Sequence, residues 1–132
     1  MSAPPPPLKL PNLAGLRVLV VDDDMDTLEI LVTFLKACGA FVFASATVSG
    51  ALAYVDMAPK LDAVITDIAM PGIDGIELTR KLRSNPMRNA LPVVALTGFY
   101  EDYPNTELFD AFLKKPVNLD VLASSIASLT RR

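Results

Sequence analysis

The chain has 132 residues, 52% of them hydrophobic, which against a prior of roughly 100 to 200 residues per domain indicates one domain with a core of useful size. With 12 basic against 15 acidic residues and a net charge of −3, it lacks the electrostatic footprint of direct binding to nucleic acid or an anionic membrane surface. Histidine is absent, so no imidazole base, histidine metal ligand or phosphohistidine comes from this chain, and a Ser-His-Asp hydrolase is excluded.

Five of the 11 prolines fall within residues 1–11, with Pro4 to Pro7 consecutive. Residues 1–15 are therefore expected to form a polyproline II tail or linker, and residues 16–132 the folded domain. The start Met-Ser-Ala-Pro lacks the basic and apolar regions of a signal peptide, and no apolar run approaches the roughly 18 residues of a membrane span, so the expected location is the cytoplasm.

The run Arg17 to Val21 is too continuously apolar for a half-exposed strand and predicts one covered on both faces. Four acids follow within five residues. Asp26-Thr-Leu-Glu29 has the form of a capping box, Leu28, Leu31, Val32 and Leu35 share a face, and Gly39 is a stop, so the spacing predicts a helix over 26–38. Cys38, the only cysteine, cannot form an intrachain disulfide and reads as a small core residue in a reducing compartment.

Phe41 to Ala44 predicts a second strand, and Val48, Ala51, Leu52 and Val55 a second helix. Ala63 to Thr66 predicts a third strand, Ile76 to Leu82 a third helix ending before Asn85-Pro86, and Pro92 to Leu96 a fourth strand. Tyr103-Pro104-Asn105 interrupts the next crossover, leaving about Thr106 to Phe109 for a helical turn before a strand at Ala111 to Lys114. Asn118 can cap a last helix with Leu122, Ile126 and Leu129 as its buried stripe. Five strands and about five helices, with right-handed crossovers, make an α/β flavodoxin-like doubly wound sheet of five parallel strands in order 2-1-3-4-5, with helices on both faces. Its fourth helix is expected to be shortened, shifted or missing.

In such a sheet the ligand site lies at the carboxyl ends of the strands. The residues there are Asp22 and Asp23 after the first strand, Asp67 after the third, Thr97 after the fourth and Lys115 after the fifth. Converging carboxylates repel by about 4 kcal/mol per close pair at an effective dielectric near 20, so a compensating cation is expected. With oxygen ligands and no histidine or paired cysteines, Mg²⁺ is favoured over Zn²⁺. A carboxylate with a nearby Mg²⁺, a lysine and a hydroxyl suits phosphoryl transfer, with Asp67 as the nucleophile at the end of a central strand.

Val-Leu-Val-Val-Asp22-Asp23-Asp24, Asp62-Ala-Val-Ile-Thr-Asp67-Ile-Ala-Met-Pro-Gly-Ile-Asp-Gly, Ala95-Leu-Thr97 and Phe112-Leu-Lys-Lys115-Pro116 stand in an order and spacing that resembles the receiver domain of two-component response regulators. The resemblance covers residues 16–130. It implies that Asp67 accepts a phosphoryl group from the phosphohistidine of a histidine kinase or histidine phosphotransfer protein and hydrolyses it slowly. It further implies that Asp23 and Asp67 ligate Mg²⁺ directly, Asp22 through water, and the backbone carbonyl of Ala69 completes the protein ligands. Lys115 and Thr97 would bind the phosphoryl group, Phe112 would turn inward as Thr97 shifts, and the Lys115-Pro116 bond would be cis.

The sequence departs from that pattern in places. From Thr97 to Phe112 are 15 steps, about four fewer than the family's usual connection, or roughly one helical turn, which puts signalling through a fourth helix in doubt. Phe112 lacks the hydroxyl of the tyrosine often found there, and Gly98 replaces a common alanine. Leu13-Ala-Gly-Leu-Arg-Val-Leu-Val-Val-Asp after a proline-rich segment also looks like the start of receivers fused to hybrid histidine kinases, while a stand-alone regulator is equally compatible. Output is expected through contact with a protein partner. Two other readings stay open: a pseudo-receiver that binds partners without being phosphorylated, and a haloacid-dehalogenase-like phosphatase using Asp22 as nucleophile. Asp24 and Asp26 read as surface or capping acids, Asp62 and Asp74 as turn residues, and Lys114 as exposed beside Lys115.

Overall fold

The computed structural model describes residues 10–58, 60–68, 75–98 and 106–131. In chain order these form β1 (Arg17–Val21), α1 (Met25–Ala37), β2 (Phe41–Ser45), α2 (Val48–Met57), β3 (Ala63–Asp67), α3 (Gly75–Ser84), β4 (Val93–Thr97), a 3-10 turn (Thr106–Leu108), β5 (Ala111–Lys114) and α4 (Leu119–Thr130). All strand pairs are parallel, and the sheet order is β2-β1-β3-β4-β5. This is the expected flavodoxin-like arrangement.

The near-continuous apolar strands explain the layering. Successive side chains on a strand point to opposite faces, so a strand covered by helices on both sides must be apolar at every position. Every residue of β3 and β4 is buried, and only Arg17 of β1 is exposed. Leu19, Val21, Val64, Val93 and Ala95 pack against Val55 of α2 and Leu78 and Leu82 of α3. Val18, Val20, Ile65, Val94 and Leu96 face the other way, against Leu31 and Leu35 of α1 and Leu122 and Ile126 of α4. Cys38 is buried in this second core, as its sequence position predicts. Leu13 also belongs to it, only 1% exposed, and its amide donates to the Cys38 carbonyl at 2.8 Å, so packing begins upstream of β1.

Several boundaries differ from the sequence reading. The cap of α1 is Asp24 rather than Asp26: Asp24 accepts from the Asp26 amide at 3.2 Å and from the Thr27 hydroxyl at 2.7 Å, which starts the helix at Met25. Strand β3 includes Asp67 and β4 runs from Val93 to Thr97, because the ladder continues through the Asp67–Leu96 and Thr97–Lys114 pairs after the apolar run has ended. Helix α3 is longer, starting at the buried Gly75 and ending at Ser84. Among the described residues there are four α-helices; the β4–β5 crossover contributes the three-residue turn at 106–108, and residues 99–105 lie outside the described set.

Helix α1 stops at Gly39, whose φ of +97° lets two end carbonyls be capped: the Gly39 amide donates to Lys36 at 2.9 Å and the Ala40 amide to Leu35 at 3.1 Å. A Cβ on Gly39 would sit 3.1 Å from Ala14 Cα. The Gly39→Ala variant is therefore expected to lose about 1–2 kcal/mol of stability, read as a lowered urea midpoint with an unchanged m-value.

Candidate functional site

Four strand ends build the site. Strand β1 delivers Asp22 and Asp23 into the turn before α1, where the Asp22 amide donates to the Ser45 carbonyl of β2 at 3.2 Å and Asp22 Oδ1 accepts from the Asp24 amide at 2.9 Å. The residue that caps α1 thus also fixes the carboxylate of its neighbour. Asp22 is fully buried, whereas Asp23 is exposed. Strand β3, adjacent to β1, ends at Asp67, which is 7% exposed. One carboxylate oxygen each from Asp22, Asp23 and Asp67 lies within 4.8 Å of the others.

Strand β5 contributes the cation. The Lys115 amide donates to the Thr97 carbonyl at 2.7 Å, which carries the β4–β5 ladder one step further. From there Lys115 Nζ lies 2.8 Å from Asp22 Oδ2 and 3.2 Å from Asp67 Oδ2. Burial is the largest single influence on the Lys115 ammonium and pulls its pKa down, but the contacts with Asp22 and Asp67 and their charges together outweigh it and hold the group above the ordinary lysine value. The peptide bond from Lys115 to Pro116 is cis.

Thr97 closes β4 and is 7% exposed. Phe112 lies elsewhere, half-buried in β5 beside the core formed with α2 and α3, edge-on to Phe109 at 5.2 Å between ring centroids. Ala69, with its backbone carbonyl, is outside the described residues. The structure therefore gathers Asp22, Asp23, Asp67 and Lys115 at one point and sets Phe112 in the adjoining core. Asp24 and Lys114 are exposed, and Asp62 is partly buried, its carboxylate accepting from the Arg17 amide at 2.8 Å at the opposite end of the sheet.

The donor set fits a hard divalent cation. Among the described residues three carboxylates face one ammonium, all donors are oxygen, and the buried Asp22 Oδ2 has no well-directed hydrogen bond despite its ion pair with Lys115. Chemically, a partly accessible carboxylate beside an ammonium and a cation site can attack an electrophilic phosphorus centre.

Gly75 also belongs to the site, at a closeness that the sequence does not announce. Its amide donates to the Ile68 carbonyl at 3.0 Å, and a Cβ there would overlap the Asp67 carbonyl oxygen. A glycine at the first turn of an amphipathic helix is the only trace of this in the sequence.

The family model for the response regulator receiver domain matches residues 18–127. The chain is 36% identical over 112 residues to a 14.6 kDa protein of Leptolyngbya boryana, covering 81% of this chain and 84% of that one. It is 30% identical over 131 residues to hybrid signal transduction histidine kinase D of Dictyostelium discoideum, covering 91% of this chain and 8% of the kinase. It spans 31% and 19% of the length of two other curated relatives. Among solved structures, the response regulator protein TrrA from Thermotoga maritima, in complex with Mg²⁺ and BeF, superposes with a TM-score of 0.78 at 28% identity, covering 86% of this chain and 98% of that one.

Lys115 is the shared cation of Asp22 and Asp67, and its loss exposes their repulsion. Without metal at pH 7, Lys115→Met is expected to be less stable than wild type by about 1–3 kcal/mol in urea denaturation. Because the folded pKa of Lys115 is raised, its contribution is complete below the ordinary lysine value of 10.5 and is lost as pH climbs through the higher folded value. The stability difference between wild type and variant should accordingly stay flat from pH 7 to about pH 9 and shrink on the alkaline side.

Proposed function

The chain belongs to the response regulator receiver domain family of two-component signalling, and from that premise we propose that Asp67 accepts a phosphoryl group from a phosphohistidine on a partner histidine kinase or histidine phosphotransfer protein. The observation that carries this reading is the meeting of Asp22, Asp23 and Asp67 within 4.8 Å, with Lys115 Nζ bridging Asp22 and Asp67. An Asp67 carboxylate oxygen forms the new bond to phosphorus as the phosphorus–nitrogen bond breaks, and the electron pair of that bond returns to the imidazole. The product is an acyl phosphate, which water later cleaves to the carboxylate and inorganic phosphate.

Asp22, Asp23 and Asp67 would hold a Mg²⁺ ion, whose charge offsets that of the incoming phosphoryl oxygens. Lys115 neutralises a phosphoryl oxygen once Asp67 is esterified, a move that requires only that its ammonium follow the charge from the carboxylate oxygen to the new group. Thr97, at the end of the neighbouring strand, supplies a hydroxyl donor to the same group. Modification replaces the single charge of the Asp67 carboxylate with the about 1.5–2 negative charges of the phosphoryl group, displaced outward from the strand end, and Thr97 with Phe112 relays that change to a surface read by a protein partner. The proline-rich residues 1–11 serve as a tail or linker, which ends where Leu13 enters the core. The likeness to a receiver segment within a hybrid kinase and to a protein of similar size supports both a fused and a stand-alone setting.

Intact mass spectrometry after incubation with acetyl phosphate is expected to show one added phosphoryl group, dependent on Mg²⁺ and absent in Asp67→Asn. Loss of labelling in Asp22→Asn, with retention in Asp67→Asn, would support the phosphatase reading instead. A folded protein that takes no phosphoryl group from acetyl phosphate or from phosphorylated donor kinases would be a pseudo-receiver. Mg²⁺ alone should also stabilise the wild type, by about 1.4 kcal/mol at ten times its Kd, with little effect on Asp23→Asn in the same thermal melts.

A further inference from the structure

Among the described residues, a buried hydroxyl reaches the main chain that carries the Asp67 carboxylate. Thr66 is fully buried in β3, and its hydroxyl donates at 2.9 Å to the carbonyl of Asp67, the next residue. The β1–β3 register ends at the Val21–Thr66 pair, so this bond is made one residue beyond that ladder. Immediately above it the Gly75 amide donates to the Ile68 carbonyl, and a Cβ on Gly75 would come within 3.0 Å of the Thr66 hydroxyl oxygen as well as overlapping the Asp67 carbonyl. The strand end, the start of α3 and the peptide that follows Asp67 meet at this hydroxyl.

The residue type at position 66 sharpens the point. The run Ala63-Val-Ile-Thr66 is fully buried, and valine has the shape of threonine without its desolvation cost. A buried hydroxyl here is stabilising only if its hydrogen bond offsets that cost, and the bond it makes is to the carbonyl of Asp67. That contact restricts rotation about the Asp67 Cα–C bond. Together with the Ile68 amide, which donates to the Leu96 carbonyl at 3.1 Å, it fixes the Asp67–Ile68 peptide and so the orientation of the Asp67 carboxylate, which faces Lys115, relative to that peptide.

We propose that Thr66 is a positioning residue for phosphoryl acceptance: its hydroxyl holds the Asp67–Ile68 peptide and so aims the Asp67 carboxylate, an inference that rests on Asp67 being the acceptor. Geometric slack of a fraction of an ångström at a nucleophile costs rate without costing the fold. The effect belongs to the hydroxyl and not to the volume of the side chain.

Two conservative substitutions separate these contributions. Thr66→Val keeps the shape and removes the donor; Thr66→Ser keeps the donor and removes a buried methyl group. With acetyl phosphate and saturating Mg²⁺, Thr66→Val should be phosphorylated about five- to tenfold more slowly than wild type. Thr66→Ser should stay within about twofold of the wild-type rate while being the less stable of the two in urea, so that the order of rates is opposite to the order of stabilities that packing sets. A Thr66→Val rate equal to wild type, or a Thr66→Ser rate as low as that of Thr66→Val, would overturn the inference and leave the acceptor reading intact. A wild type that takes no phosphoryl group while folded would overturn the acceptor reading and this inference with it.

Discussion

Like charges resist being brought together, and this fold holds Asp22, Asp23 and Asp67 with one oxygen each inside a 4.8 Å circle. At an effective dielectric near 20, two unit charges at that separation repel by about 3.5 kcal/mol, a sizeable fraction of the stability of a domain this size. The sheet can impose the arrangement because β1 and β3 are adjacent parallel strands with helices on both faces, so neither strand end can swing away without breaking a buried ladder. Lys115 relieves part of the repulsion and is itself delivered by the sheet, through the bond from its amide to the Thr97 carbonyl.

The topology makes this economical. In order 2-1-3-4-5 the chain reverses direction of growth between β1 and β3, and α1 and α3, the helices that follow these strands, pack on opposite faces, the arrangement that opens a crevice at the carboxyl ends in such sheets. Acids at the ends of these two strands must then meet in it. A lysine after β5, two strands from β3 and three from β1, reaches acids on both because its stem is long. Among the described residues, Lys115 is partly exposed and Asp23 exposed, so the proposed phosphodonor would approach from their side.

Much of this was legible in the sequence, for physical reasons that differ by residue. Strand β1 and the parallel order were readable because continuous Val and Leu runs have few other uses, and the strand-end acids followed from the general rule for such sheets. The cap of α1 was misplaced to Asp26 because several acids compete for one amide cluster, and only the Thr27 hydroxyl and the Asp26 amide meeting Asp24 decide between them. Strands β3 and β4 were read a residue short at their carboxyl ends, since polarity marks where the apolar run stops and not where the ladder does. Thr66, Gly75 and Asp110 carry no periodic signal: each acts through a contact made only after the chain has folded. Asp110 accepts from the Val93 amide at 2.8 Å to start β4, much as Asp62 accepts from Arg17 to start β1.

The crossover into β5 shows how a short connection can still be firmly attached. At the end of α3, Arg83 donates to the Leu108 carbonyl through Nε at 3.0 Å and Nη2 at 2.8 Å, to Leu91 at 2.6 Å, to Asn89 at 3.1 Å and to the Asp110 carboxylate at 2.9 Å. The ion pair with Asp110 is partly exposed and contributes little by itself. The carbonyl contacts matter more, because a planar guanidinium fork satisfies several backbone acceptors at once with small loss of side-chain freedom. They tie the entry to β4 and the entry to β5 to one helix end. Phe109 and Phe112 follow directly, so the aromatic pair stands on a backbone fixed by Arg83 at one end and by the Lys115 amide bond to Thr97 at the other. Strand β5 is thereby held at both ends, and Lys115 at its carboxyl end ties it to the Asp67 carboxylate.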